Sequence, residues 1–135
     1  KLLSVLSLSK PRFNKKYDYE ITRFSSVGGV PVVGGLSKMI KNSGLKNIHT
    51  YADLRYGHGN CYERAGFKKI IKRVTPNYWY FDDSSQLFSR MKFQKKKLKN
   101  IFKTHYDETK SEYEIMLAAG YRKIYDCGNF EYEFV

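Results

Sequence analysis

The residues of this chain best placed to do chemistry are those that would meet a phosphate. Between Ile21 and Ile40 a strand pattern, a stretch broken by Gly28-Gly29, Pro31 and Gly34-Gly35, and a helical pattern follow one another. That order frees backbone N–H groups at a helix N-terminus, and the glycines let a pyrophosphate approach them. Glycines at such a turn also serve backbone geometry alone, so the pattern permits phosphate binding without requiring it. A second set lies at 88–103 (FSRMKFQKKKLKNIFK), where Arg90, Lys92, Lys95, Lys96, Lys97, Lys99 and Lys103 occur with no acid among them. Such a run is either a solvated helix face or a surface that neutralises nucleic-acid phosphates. Lys68, Lys69, Lys72 and Arg73 add charge on a predicted strand.

The remaining reactive side chains form no expected catalytic set. Glu20 and Asp53 stand near strand ends as conceivable general bases, and both read as ordinary solvated charges. Arg55 either pairs with Asp53 or contacts DNA. His49, His58 and His105 are scattered, although His58 in Gly57-His-Gly-Asn60 could donate to a phosphate. Cys61 and Cys127 lie far apart with no companion at metal-ligand spacing, which predicts neither a zinc site nor a disulfide framework and fits a reducing, intracellular setting. No metal is expected. Neither a His-Asn-His pair nor an Asp…Glu-x-Lys cluster can be assembled, so no nuclease site is expected in this segment.

A formal net charge of +12 on 135 residues directs attention to polyanions: nucleic acid, a phosphorylated cofactor or an anionic surface. No amphipathic segment with a broad apolar face and a Lys rim is present, which places a membrane last. Residues 1–9 (KLLSVLSLS) are too short to span a bilayer or complete a secretory signal and read as a first strand. The opening on Lys rather than Met suggests part of a longer protein.

The elements that must hold these residues follow from periodicity. Tyr17–Phe24 alternates, with Tyr17, Tyr19 and Ile21 on one face and Asp18, Glu20 and Thr22 on the other. Leu36, Met39 and Ile40 then recur at helical spacing up to Gly44, and Asn47–Ala52 is a second strand. Asn60 caps a short helix that stops at Gly66, and Phe67–Val74 and Tyr78–Phe81 are strands around the Pro76-Asn77 turn. Residues 88–103 predict one helix with Met91, Leu98 and Phe102 on its buried stripe. Thr109-Lys-Ser-Glu112 has the capping-box pattern and opens a helix that ends at Gly120. Tyr121–Asp126 and Phe130–Val135 predict a hairpin around Cys127-Gly128-Asn129. The expectation is one compact α/β (α+β) domain, with a core over 1–83 and a basic helix, a second helix and a β-hairpin over 84–135 packed on it.

Asn60-Cys-Tyr62-Glu-Arg-Ala-Gly66-Phe67 fits the pattern N-x-Y-x-x-x-G-F, and Ser37-Lys38-Met39-Ile40 fits the start of a helix after a Gly loop. With these pieces in this order, the region Tyr17 to Phe81 resembles the acetyl-CoA-binding half of the GNAT acyltransferase superfamily. The resemblance implies a central mixed sheet flanked by helices and acetyl-CoA as cofactor. It places the cofactor on Val33, Gly34, Gly35, Ser37, Lys38 and Asn60, with Tyr62 as the acid that protonates the departing thiolate. Tyr62 has a plainer reading as a core aromatic near a helix end. The loop departs from the family: Pro31 stands at the usual Arg or Gln and Leu36 at a small residue, where its side chain is expected to point at the pyrophosphate position. The implied module is a degenerate one.

A second likeness rests on Tyr51-Ala-Asp53-Leu-Arg55-Tyr-Gly57, Pro76-Asn77-Tyr78-Trp-Tyr80, Ser89-Arg90 with its Lys-rich continuation, and Tyr125-Asp126-Cys127-Gly128-Asn129. These resemble a module of phage and mobile-element proteins that often follows a nuclease or zinc-ribbon segment of homing-endonuclease type. Together the readings predict a GNAT-like, DNA-binding module. Arg55, Lys68, Lys72, Arg90, Lys92, Lys95, Lys96, Lys97, Lys99 and Lys103 would meet the backbone. The alternative is an active CoA-dependent N-acyltransferase acting on nucleic acid or protein, so enzymatic activity is left open. The expected setting is a bacterial cytoplasm, and the expected state a monomer or part of a larger chain.

Overall fold

The computed structural model describes residues 1–74 and 76–135, and of residues 71–73 the backbone alone. In chain order the strands are β1 (Ser4–Ser9), β2 (Tyr19–Ser26), β3 (Ile48–Asp53), β4 (Lys68–Val74), β5 (Tyr78–Phe81), β6 (Leu87–Ser89), β7 (Arg122–Tyr125) and β8 (Asn129–Phe134). The helices are α1 (Gly35–Ser43), α2 (Asn60–Arg64), α3 (Lys95–Ile101) and α4 (Glu112–Ala118). They form two compact units, one of Lys1–Thr75 with Cys127–Val135 and one of Pro76–Asp126.

The first unit is a five-stranded mixed sheet in the order β1-β2-β3-β8-β4 with helices, an α+β arrangement. Its neighbours are antiparallel except β2 and β3, which run parallel. Parallel neighbours cannot be joined by a tight turn, and α1 supplies the crossover between them. Period-two alternation sorts the side chains. Ile48 and Ala52 of β3, and Phe130, Tyr132 and Phe134 of β8, pack with Ile21, Leu36, Ile40 and Phe67 in one apolar cluster. Burying an aliphatic side chain such as Ile40 or Ile48 stabilises the fold by roughly 1.5–3 kcal/mol. The intervening residues His49, Tyr51, Glu131 and Glu133 therefore occupy the other face of the sheet.

Gly59 is required where β3 leads into α2. Its φ is +80°, and an added Cβ would lie 2.5 Å from Cε2 of Tyr132 and 2.9 Å from Cβ of Ala52. The expected capping role of Asn60 is not realised, because Asn60 is the first helical residue and Gly59 is the N-cap, with no side-chain cap bond.

The second unit has an antiparallel sheet in the order β6-β5-β7 and its own core of Tyr80, Phe93, Leu98, Ile115 and Met116. Three expectations are corrected here. Residues 88–103 are not one helix: β6 leads into a 3₁₀ turn at Arg90–Phe93, and α3 starts only after Gln94, whose ψ of 139° breaks the helical path. Phe93 takes the buried place expected for Met91, which is 54% exposed. The capping box is formed by Ser111 and Glu114, two residues later than Thr109 and Glu112, since Ser111 has the extended backbone an N-cap needs.

Among the described residues, neither the strands around the Pro76-Asn77 turn nor those of the expected C-terminal hairpin pair with each other. β4 and β5 lie in different sheets, as do β7 and β8. β8 inserts between β3 and β4, where Phe130, Tyr132 and Phe134 reach the first core. The chain passes from the first unit to the second after residue 75 and returns to the first after residue 126.

Candidate functional site

The parallel pair β2/β3 is short. Tyr19, Glu20 and Ile21 pair with Ile48, His49 and Thr50, and beyond Ile21 and Thr50 no pairing joins the two strands, although β2 runs on to Ser26 and β3 to Asp53. The Thr50 hydroxyl donates to the carbonyl of Ile21 at 3.2 Å, at the last rung. Tyr62 of α2 meets the same Thr50 hydroxyl; burial raises its phenol above the usual range, and Thr50 draws it back only in part. Its ring also packs against Phe67 and Tyr132, with centroids 5.8 and 5.5 Å away. Tyr62 thus combines core packing with a protonated hydroxyl at the point where the strands part.

The Gly loop ends at Gly34, which takes φ +69° and ψ 11° and opens α1. The helix has no side-chain cap bond and no acid in its first turn. Leu36, expected to point at the pyrophosphate position, is 5% exposed and packs in the core beside Ile21 and Ile40. Its place two residues into the helix turns it onto the buried stripe. Of the other expected cofactor residues, Val33, Lys38 and Asn60 are exposed, Ser37 is half-buried and Gly35 is buried. Gly35 approaches Val32 so closely that an added Cβ would lie 2.9 Å from Cγ1 of Val32.

The opposite face of the first sheet carries a polar cluster that sequence reasoning missed. One row of paired residues crosses all five strands: Ser9, Glu20, His49, Glu133 and Lys68. Glu20 and His49 are both 0% exposed, which corrects the reading of Glu20 as a solvated charge. Arg12 explains how a carboxylate survives there. Its guanidinium donates to Oε1 of Glu20 at 2.6 and 2.9 Å, and its backbone N–H to Oε2 at 2.9 Å. Burial raises the Glu20 carboxyl, but the Arg12 bonds and charge outweigh it and hold the group below the usual 4.5. The His49 ring lies between Glu20, 3.6 Å from Nε2, and Glu131, 3.5 Å from Nδ1. Tyr17 covers that ring and Tyr51 meets it edge-on. Tyr17 was expected on the Ile21 face. It precedes β2 instead and so escapes the strand alternation. The available signal was Glu131, Glu133 and His49 alternating with apolar neighbours, but sequence does not say which strands adjoin.

The cations expected to meet DNA divide into groups. Arg55 is tied to Asp53, its Nε donating to both carboxylate oxygens at 3.0 Å. Lys68 is exposed on β4. Lys72 lies outside the residues whose side chains are described. On α3, Lys95 donates to the carbonyl of Glu108 at 3.0 Å and Lys97 to that of Met91 at 2.8 Å. Lys92 lies over the Phe88 ring at 4.5 Å, and Lys96, Lys99 and Lys103 are exposed. Arg90 lies 5.6 Å above the Tyr78 ring, and Lys123, which was not among the expected contacts, lies 4.2 Å above it. The charge excess is unequal: the first unit holds fifteen Lys and Arg against six Asp and Glu, a net +9, and the second ten against seven, a net +3.

Among the described residues no group of three or more His, Cys, Asp and Glu is arranged to hold a metal ion, and no helix is long and apolar enough to cross a membrane. No family model, no curated protein and no solved structure matches the chain.

Proposed function

We propose that this chain is a GNAT-like module, degenerate in its cofactor loop, that binds the DNA backbone as part of a phage or mobile-element protein associated with a nuclease. The observation that carries the binding reading is α3. Its seven residues contain four exposed lysines, and Leu98 alone is buried. Lys95 with Lys99, and Lys96 with Lys99, are like charges at helical contact spacing, each costing the helix about 0.2–0.5 kcal/mol. A polyanion would turn that repulsion into attraction. Arg90, Lys92 and Lys103 extend the same run of cations. The GNAT-like fold is supported by the strand order of the first unit and by a parallel pair that parts after three rungs.

The test is duplex binding over a salt series. Log affinity should fall linearly with log salt, with a slope of about −0.9 for each phosphate neutralised. Replacing Lys96 and Lys99 with Gln should make the slope shallower by about 2. A flat salt response would sink the reading.

One observation favours a second reading, that of an acetyl-CoA-dependent acyltransferase. Tyr62 holds its proton beside Thr50 at the mouth of the parting strands, where a general acid for a leaving thiolate would stand. Glu20 would not be its base, since Arg12 holds that carboxylate in a buried pair. Titration calorimetry with acetyl-CoA tests it: no heat from folded protein at millimolar cofactor removes its support.

A further inference from the structure

Backbone neutralisation accounts for cations but not for the aromatic rings over which Arg90 and Lys123 lie in the second unit. Tyr78 of β5 and Tyr125 of β7 are directly paired across the strands, with ring centroids 5.8 Å apart. Tyr125 is 59% exposed, and Tyr113 on α4 is 40% exposed. Lys123 stands between the two sides of this patch, 4.2 Å from the Tyr78 ring and 4.7 Å from the Tyr113 ring, and Arg90 lies over Tyr78 as well. Tyr78 is held from behind together with a core ring. Glu112 accepts hydrogen bonds from the hydroxyls of Tyr78, at 3.3 Å, and of buried Tyr80, at 2.9 Å.

Arg90 and Lys123 lie over the Tyr78 ring, and Lys123 also over that of Tyr113, so the largely exposed Tyr125 ring presents its surface to solvent beside a cation-capped neighbour. That combination fits a ligand with flat, π-faced groups joined by anions. Nucleobases within a duplex present only their edges in the grooves, so their faces are available only when unpaired. We infer that Tyr125 stacks a base of single-stranded nucleic acid while Arg90 and Lys123, over the neighbouring Tyr78 and Tyr113 rings, hold the flanking phosphates. The inference rests on the nucleic-acid reading above and adds unpaired strands to the duplex backbone as a ligand.

The experiment compares a fluorescently labelled dT12 with an abasic 12-mer of the same backbone charge, by polarisation at fixed low salt. The dT12 should bind tighter by on the order of tenfold, the ratio that stacking of one base supplies. Tyr125→Ala should remove most of that ratio and leave the abasic affinity unchanged, and Tyr125→Phe, which keeps the ring, should retain it. Tyr125 is largely exposed, so the Ala variant keeps its fold, and circular dichroism checks this. Equal, salt-sensitive binding of both oligonucleotides would overturn the stacking inference and leave backbone binding standing. Equal weakening of both by Tyr125→Ala would do the same. Binding of neither, with the duplex still bound, would overturn the stacking inference alone, and binding of none of the three would overturn both.

Discussion

Tyr17 lies flat on His49, with ring centroids 4.7 Å apart and planes inclined by 14°, and its hydroxyl donates to Glu133 at 2.7 Å. This contact fastens the connection between β1 and β2 onto the polar face of the sheet. Asn14 and Lys16 of the same connection reach Glu131 at 3.3 Å and Glu133 at 3.7 Å. Tyr17→Ala should therefore destabilise the first unit by about 3 kcal/mol, the usual loss for a buried aromatic. Tyr17→Phe keeps the stack and should cost only about 1 kcal/mol. Urea unfolding followed by circular dichroism measures both. Equal losses would mean that the hydroxyl, not the ring, secures the connection.

Acid should loosen the same face. The folded-state pKa of Glu20 is depressed by Arg12, so its contribution to stability is complete above the unfolded value of 4.5 and is lost as pH falls through the lower folded value. Glu133, held down by the Tyr17 hydroxyl despite its burial, and Asp53, held down by Arg55, act in the same direction. Urea midpoints between pH 7 and pH 3 should decline below about 4.5. Glu20→Gln should flatten the decline without abolishing it. Parallel profiles for the two proteins would show that Arg12 does not perturb Glu20.

Gly59→Ala should be costly. A left-handed backbone costs a residue with a Cβ roughly 1–2 kcal/mol, and displacing Tyr132 and Ala52 adds on the order of 1–3 kcal/mol. Gly28→Ala is the control: nothing lies within 4 Å of its added Cβ and its φ is not positive. Thermal unfolding should separate the two clearly, and similar Tm values for both would refute the packing described at Gly59.

The α3 lysines should prove dispensable for folding. Removing Lys96 and Lys99 as Gln relieves repulsion, so stability should stay level or rise by a few tenths of a kcal/mol. A loss of stability in denaturant titration, accompanying any loss of DNA affinity, would assign them a structural role instead.

Local pattern alone identified much of this protein. The spacing of Leu36, Met39 and Ile40 announced α1 up to Gly44, and Asn47–Ala52 was legible as a strand, β3, found one residue later at Ile48–Asp53. The clustering of Lys95, Lys96, Lys97 and Lys99 was visible without a fold, because charge is a property of the chain. Periodicity reports which face a residue shares with its near neighbours, and that is where its reach ends. Only the tertiary structure put Glu133 beside His49 and His49 beside Glu20, because strand order depends on contacts between segments distant in sequence. Leu36 marks the same boundary within the Gly loop. Its identity suggested an obstruction to phosphate, and packing against Ile21 and Ile40 turned it into the core. A helix has two sides, and the side that faces the sheet is decided by the sheet.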